Sequence, residues 1–285
     1  MNPLDALLEP LAFPFFVRAL VAVTVVGLVC AVVGSYMVLR GLAFMGDALS
    51  HSAFPGVVAA YLLKGPFYLG AAIAAVGTAL AIGWVTRRGR LRSDTTIGVL
   101  FAGMFALGVF LFSRIPNYVG DLFGFLFGEI LGIGDADLLA LTALAVVVLA
   151  VVAVFWKELL YSTFDPLGAA AAGLPVARLD YVLLAVIALT IVVSLQAVGI
   201  ILVVAMLVTP AAIGQLLATS FGRLVAIAIA VGVVSPIVGL YLSYWLDAAT
   251  GATIVLVETA FFVLALAFVS IRRRVPAARD AIGPA

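Results

Sequence analysis

Charge is what this sequence is short of. Only 10% of its 285 residues are Asp, Glu, Lys or Arg, while 66% are hydrophobic and the mean hydropathy is +1.33. A soluble domain carries about a quarter charged residues. No soluble fold of this size has interior enough for so much apolar side chain, so most of it must face lipid or other lipid-embedded helices. That excludes cytosolic enzymes and nucleic-acid binders. Cysteine is reduced to Cys30, inside an apolar run, which leaves neither a disulfide framework nor a cysteine metal site. No Gly-x-x-x-x-Gly-Lys-Ser/Thr loop occurs, so nothing in the chain can cradle a nucleotide phosphate. The first 16 residues hold Asp5, Glu9 and three prolines but no basic residue, so a cleavable signal peptide is not expected there. The net charge of +1 says nothing about partners.

What the chain does have is apolar runs long enough to cross a bilayer, which needs roughly 20 helical residues. Candidate spans lie at 17–39, 45–63, 67–86, 95–113, 137–155, 180–195, 199–218, 224–246 and 252–271. The sixth and seventh are nearly continuous and are divided at Ser194–Gly199, where Gln196 and Gly199 interrupt the run. The positive-inside rule supports the division. With nine spans and a cytoplasmic C-terminus, the inner side holds twelve basic residues: Arg40, Arg87, Arg88, Arg90, Arg92, Lys157, Arg178, Arg223, Arg272, Arg273, Arg274 and Arg279. The outer side holds Arg18, Lys64 and Arg114. Merging the two spans would leave seven inside against eight outside. The expected protein is therefore an all-α polytopic membrane protein, one transmembrane domain over 1–285, with its N-terminus outside. Residues 1–16, with Leu4, Leu7, Leu8 and Leu11, read as an outer interfacial helix, and 272–285 as a cytoplasmic tail.

One constellation falls inside the membrane. In Arg40-Gly-Leu-Ala-Phe-Met-Gly-Asp47-Ala-Leu-Ser-His51, the carboxylate and the imidazole are four residues apart and share a helix face. They lie roughly 10 and 16 Å in from Arg40 at about 1.5 Å per residue. Ionisable groups at that depth are costly and point to function. His51 is the only histidine in the chain. Asp and His together suit Mn²⁺, Fe²⁺ or Zn²⁺, and the lack of thiolates argues against Cu(I). Two ligands are too few for a closed site, but a symmetric dimer would supply four. The alternative is a self-satisfied pair that fixes helix packing, with Ser50 and Ser52 as polar contacts between helices. A serine hydrolase built on Ser50 or Ser52 with His51 is remote, because adjacent helical residues point about 100° apart.

The stretch Val38–Gly56 resembles the signature of the permease subunit of manganese/zinc ABC importers, ABC-3 type. Phe125–Gly132 is similar to that family's outer segment, Phe164–Pro175 to its cytoplasmic loop, and Gln196–Ala212 to its late helix pair. Glu129 stands where Asp is the commoner residue. The resemblance implies a homodimeric permease of type II (vitamin-B12-importer-like) architecture in a prokaryotic inner or plasma membrane. It implies a cytoplasmic ATPase dimer, which the missing P-loop requires, and an extracytoplasmic metal-binding protein as partners. Asp47 and His51 would then line the path of a transported divalent metal (Mn, Zn or Fe), and the chain would be a transport subunit and not an enzyme. An ion-coupled secondary transporter using Asp47 and His51 as a relay is the competing reading, although no internal repeat supports it.

Two further features fit an importer. In the loop 164–175, Asp165 can cap a helix, Pro166 suits its first turn and Gly173 its end, giving a short Ala-rich element for ATPase coupling. The outer segments carry Asp121, Glu129, Asp135 and Asp137, an acidic rim that favours cation entry. A glycine every four residues from Gly120 to Gly132 suggests a re-entrant or surface helix there. Glu258 reads as a residue snorkelling to the outer interface, and Pro210 and Pro236 as helix interruptions.

Overall fold

Pro14 occupies the first turn of helix α1, where its missing N–H costs nothing, and an unbroken apolar run carries α1 from Pro14 to Leu39. The computed structural model describes residues 8–88, 92–115, 128 and 130–279, and no strand occurs among them. The chain continues as α2 (Ala43–Ser52), α3 (Phe54–Leu62), α4 (Phe67–Arg88), α5 (Ser93–Phe112), α6 (Asp135–Val154), α7 (Trp156–Phe164), α8 (Pro166–Ala171), α9 (Val176–Leu217), α10 (Phe221–Leu246) and α11 (Thr250–Arg279). Short 3₁₀ turns at Pro10–Ala12 and Ile130–Gly132 complete it. The all-α polytopic expectation is met: eight stretches are long and apolar enough to cross a membrane.

The second expected span is not one helix. Residues 45–63 fall in α2 and α3, two short helices that abut at Ala53. Pro55 is the cause: it has no N–H for the carbonyl of His51 and its ring crowds that carbonyl, so the helix breaks just past the histidine. The division of the sixth and seventh spans holds. A straight 42-residue α9 would be about 63 Å long, twice the bilayer core. Gly199 breaks it at φ 78° and ψ 169°, a region essentially closed to other residues, leaving crossing segments Val176–Leu195 and Ala197–Leu217. Pro210 and Pro236 are each accommodated inside a helix, so neither interrupts one.

Close crossings over small residues hold the bundle together, as expected where lipid offers no hydrophobic contrast. A Cβ on Gly27 would overlap the Gly232 carbonyl of α10, and one on Gly34 the Leu207 carbonyl of α9. Gly56 and Gly70 make the same contact between α3 and α4. Helix α1 and both halves of α9 form the centre; α5, α6 and α11 are peripheral.

Leu4 and Leu7 of the expected interfacial helix, like the tail beyond 279, lie outside the described residues. What is described is the turn at Pro10–Ala12, flanked by the exposed Leu8, Leu11 and Phe13. Of the expected glycine-faced helix, Gly128 and the turn Ile130–Gly132 are described: Gly128, at φ 71°, sits directly against the Val198–Gly199 backbone, and Ile130 is buried.

Candidate functional site

Asp47 and His51 share the outward face of α2, with side chains 53% and 22% exposed in the single chain. The imidazole is held twice by its own helix. Nδ1 lies 3.0 Å from the backbone carbonyl of Asp47 and 3.4 Å from its Oδ1. Both are acceptors, so Nδ1 is the donor to them, and Nε2 makes no hydrogen bond among the described residues. Phe101 and Phe105 of α5 pack edge-on against the ring at 5.2 and 5.6 Å between centroids. An imidazole tied at Nδ1, one helical turn from an accessible carboxylate oxygen, presents two groups that could each serve a metal as a ligand. No group of three or more His, Cys, Asp or Glu that could hold a metal ion occurs among the described residues. One chain thus offers two ligands.

Ser50 and Ser52 turn away: each hydroxyl donates to the carbonyl four residues back, Gly46 and Ala48, inside the bundle. Neither is a nucleophile for His51.

Loop 164–175 folds as its sequence predicts. Asp165 accepts from the Gly168 N–H at 2.8 Å, Pro166 opens α8, and Gly173 turns the chain at φ 85°. The Gly173 N–H donates to Ala170 and the Leu174 N–H to Ala169, which closes the helix end. Ala169 is buried against the bundle, while Leu167 stands 84% exposed beside exposed alanines.

The acidic rim is only partly visible, because Asp121 and Glu129 lie outside the described residues. Asp135 pairs with Arg18 at 3.3 Å, and Asp137 accepts from the Tyr68 hydroxyl at 3.5 Å. Glu258 does not snorkel. It is fully buried, Oε1 accepts from Ser235 at 3.4 Å, and Oε2 has no partner among the described residues. Helix α11 starts eight residues before it and presents this face to α10, so its side chain points into the bundle and not along the membrane surface.

Sequence reasoning passed over one polar cluster. Arg40, at the end of α1, donates to Thr163 (2.9 Å) and Ser162 (2.8 Å) of α7 and to Asp180 of α9. Arg87 of α4 takes the other Asp180 oxygen. The available signal was Asp180 itself, a lone acid at the mouth of an apolar span, level with two arginines.

The profile of the ABC 3 transport family matches residues 12–269. The chain belongs to that family. It is 43% identical over 258 residues to the manganese transport system membrane protein MntC of Halalkalibacterium halodurans, covering 90% of this chain and 88% of that one. It is 44% identical over 269 residues to the chelated iron transport system membrane protein YfeD of Yersinia pestis, covering 94% and 90%. The structure of PsaBC from Streptococcus pneumoniae in complex with Fab superposes with a TM-score of 0.82 at 35% identity, over 92% of this chain and 94% of that one. Membership of the ABC 3 transport family bears out the reading as a multi-pass transport subunit of the ABC type, and does not favour the secondary transporter.

Proposed function

We propose that this ABC 3 family chain is the membrane-spanning permease of an ATP-driven importer that carries a divalent transition metal, manganese, zinc or iron, into the cytoplasm. It works as a homodimer with a cytoplasmic ATPase dimer and an extracytoplasmic metal-binding protein, in the inner or plasma membrane of a prokaryote. The chain belongs to a transport family whose relatives are named for manganese and iron. The observation that supports the metal reading is the pairing of His51 with Asp47 on one face of α2, with Nδ1 turned to its own helix and Nε2 making no hydrogen bond among the described residues.

A carboxylate half exposed on a membrane helix would meet lipid in an isolated chain, at a cost of several kcal/mol or about 3 kcal/mol on insertion scales. A two-fold mate facing it removes that cost and brings two Asp and two His together on the axis. The loop 164–175, with Asp165, Pro166 and Gly173 shaping α8, docks the ATPase through Leu167 and the exposed alanines. Asp121 and Glu129 belong to the outer entry side, where negative charge concentrates cations. The basic ends of α1, α4 and α11 are cytoplasmic, and the N-terminus is outside.

Metal competition on the purified complex, with manganese, zinc and iron offered to wild type and His51→Ala, tests this. Stoichiometric metal lost in the variant is the expected result; unchanged metal content in the variant overturns the site.

A further inference from the structure

Two ends of the permease have to communicate: the helix that meets the ATPase and the helix that holds the metal. Helix α9 touches both α8 and α2 directly, and a second continuous set of contacts between them passes through Arg40. This inference rests on the reading of α8 as the ATPase-docking element.

Start at the α2 end. Arg40 is the C-cap residue of α1, and the next residue, Gly41, takes φ 68°. The Gly41 N–H donates to the Val38 carbonyl and the Leu42 N–H to the Met37 carbonyl, at 3.0 and 2.9 Å. This doubly bonded turn is rigid, because both orphan carbonyls of the helix end are taken. Helix α2 starts at Ala43, one residue past the turn, and carries Asp47 and His51 one and two turns on. A displacement of Arg40 is therefore a displacement of the start of α2.

At the other end, α8 follows α7 with only Asp165 between them. Helix α7 is fastened to α1 at two points. Near its start, Trp156 packs edge-on to Tyr36 at 5.7 Å between centroids, its carbonyl accepts from the Tyr36 hydroxyl at 3.3 Å, and Phe221 packs at a tilt against both rings. Near its end, Ser162 and Thr163 accept from Arg40, while Asp180 bridges Arg40 and Arg87. The guanidinium is 14% exposed and spends Nε, Nη1 and Nη2 on three different residues in two elements, a use to which only the planar fork of arginine is suited.

The surroundings leave room for change. Arg40, Arg87, Thr163, Pro166 and Asp180 line a cavity of about 450 Å³ that also reaches Thr86. The Thr86 hydroxyl is buried there without a hydrogen-bond partner among the described residues. A joint that is ionic, partly exposed and beside open space can exchange partners, whereas the aromatic joint at Tyr36 cannot without losing packing.

We propose that Arg40 is a positioning residue for transport: with Ser162, Thr163 and Asp180 it forms the joint through which movement of the docking helix α8 is passed to the metal-bearing helix α2. It touches neither metal nor nucleotide. Removing it separates ATP hydrolysis from transport and leaves the metal half-site in place.

The test uses the full complex with its ATPase and binding protein in proteoliposomes. Manganese transported per ATP hydrolysed is read alongside nucleotide-free manganese binding. Arg40→Gln is expected to lower transport per ATP by about tenfold or more with binding held within about twofold, the scale of an ordinary coupling free energy. Arg40→Lys keeps the charge without the fork and recovers only part of the ratio. Asp180→Asn behaves as Arg40→Gln does. Thr163→Val, which removes one contact and no charge, gives a smaller loss in the same direction, and it decides the matter if the charge variants fail to assemble. Gly173→Trp in the docking loop is the reference. If Gly173→Trp uncouples and the Arg40 and Thr163 variants do not, the joint is refuted and the docking reading stands. If none of them uncouples, the docking reading falls too. If Arg40→Gln loses manganese binding in step with transport, Arg40 only supports the site and the proposal is overturned.

Discussion

At His51 the helix itself selects the tautomer. The Asp47 carbonyl, four residues back, takes the Nδ1 proton, and the ring is steadied by Phe101 and Phe105. What is left over is a second ring nitrogen of fixed direction, as a metal ligand needs. Removing a direct ligand costs more than removing its supporting shell, which alone is worth about 10–100-fold in affinity. His51→Ala is accordingly expected to reduce metal uptake by more than about tenfold in cells that accumulate the complex normally. Asp47→Asn is expected to do the same, because it withdraws the negative charge that offsets the cation where the dielectric is low. Uptake at the wild-type rate in both variants would return the pair to a packing role. Glu258 teaches the opposite lesson about single residues. Its position eight residues into α11 looked near enough to the surface to snorkel, but the rotation of that helix, which no single sequence discloses, turns it onto Ser235.

Among the elements, glycine decides where the chain can turn or cross. Gly199→Ala forces a Cβ into a backbone region that costs of order 1–3 kcal/mol. The Ala variant is expected to lower the thermal midpoint of the detergent-solubilised protein, and Gly77→Ala, with nothing within 4 Å of its position, is the matched control. Gly27→Leu drives side chain into the Gly232 carbonyl and should cost at least the ~1–3 kcal/mol of an overpacked core. An unchanged midpoint in either would mean that these crossings are slack. Most of this layout was legible beforehand because length and hydropathy dominate in a membrane: eight spans appear within a few residues of where the apolar runs placed them, and the short helix α8 has its expected cap and stop. What was not legible came from neighbours. The break at Pro55 was written in the sequence, but the apolar run across it masked the missing hydrogen bond. Asp180 gave no local sign that two arginines from other helices converge on it.

For the whole molecule, the half-exposed carboxylate on α2 and the exposed Leu167 on α8 are the open features on which the proposed dimer face and the proposed ATPase contact rest. Both proposals depend on orientation, for which the positive-inside rule is the argument. Leu63 and Leu167 give a clean test. They lie at opposite ends of the bundle and are 82% and 84% exposed, so a cysteine at either position disturbs no packing. Cys30, the sole native thiol, is buried at 0% exposure and adds no background. In intact cells a membrane-impermeant maleimide is expected to label Leu63→Cys and not Leu167→Cys, and permeabilised cells should label both. Added ATPase subunit should then protect Leu167→Cys selectively, since that side chain crowns the docking helix. Labelling of Leu167→Cys from outside would invert the topology. It would put the docking helix on the side where no ATP is available, and ATP-driven import would fail with it.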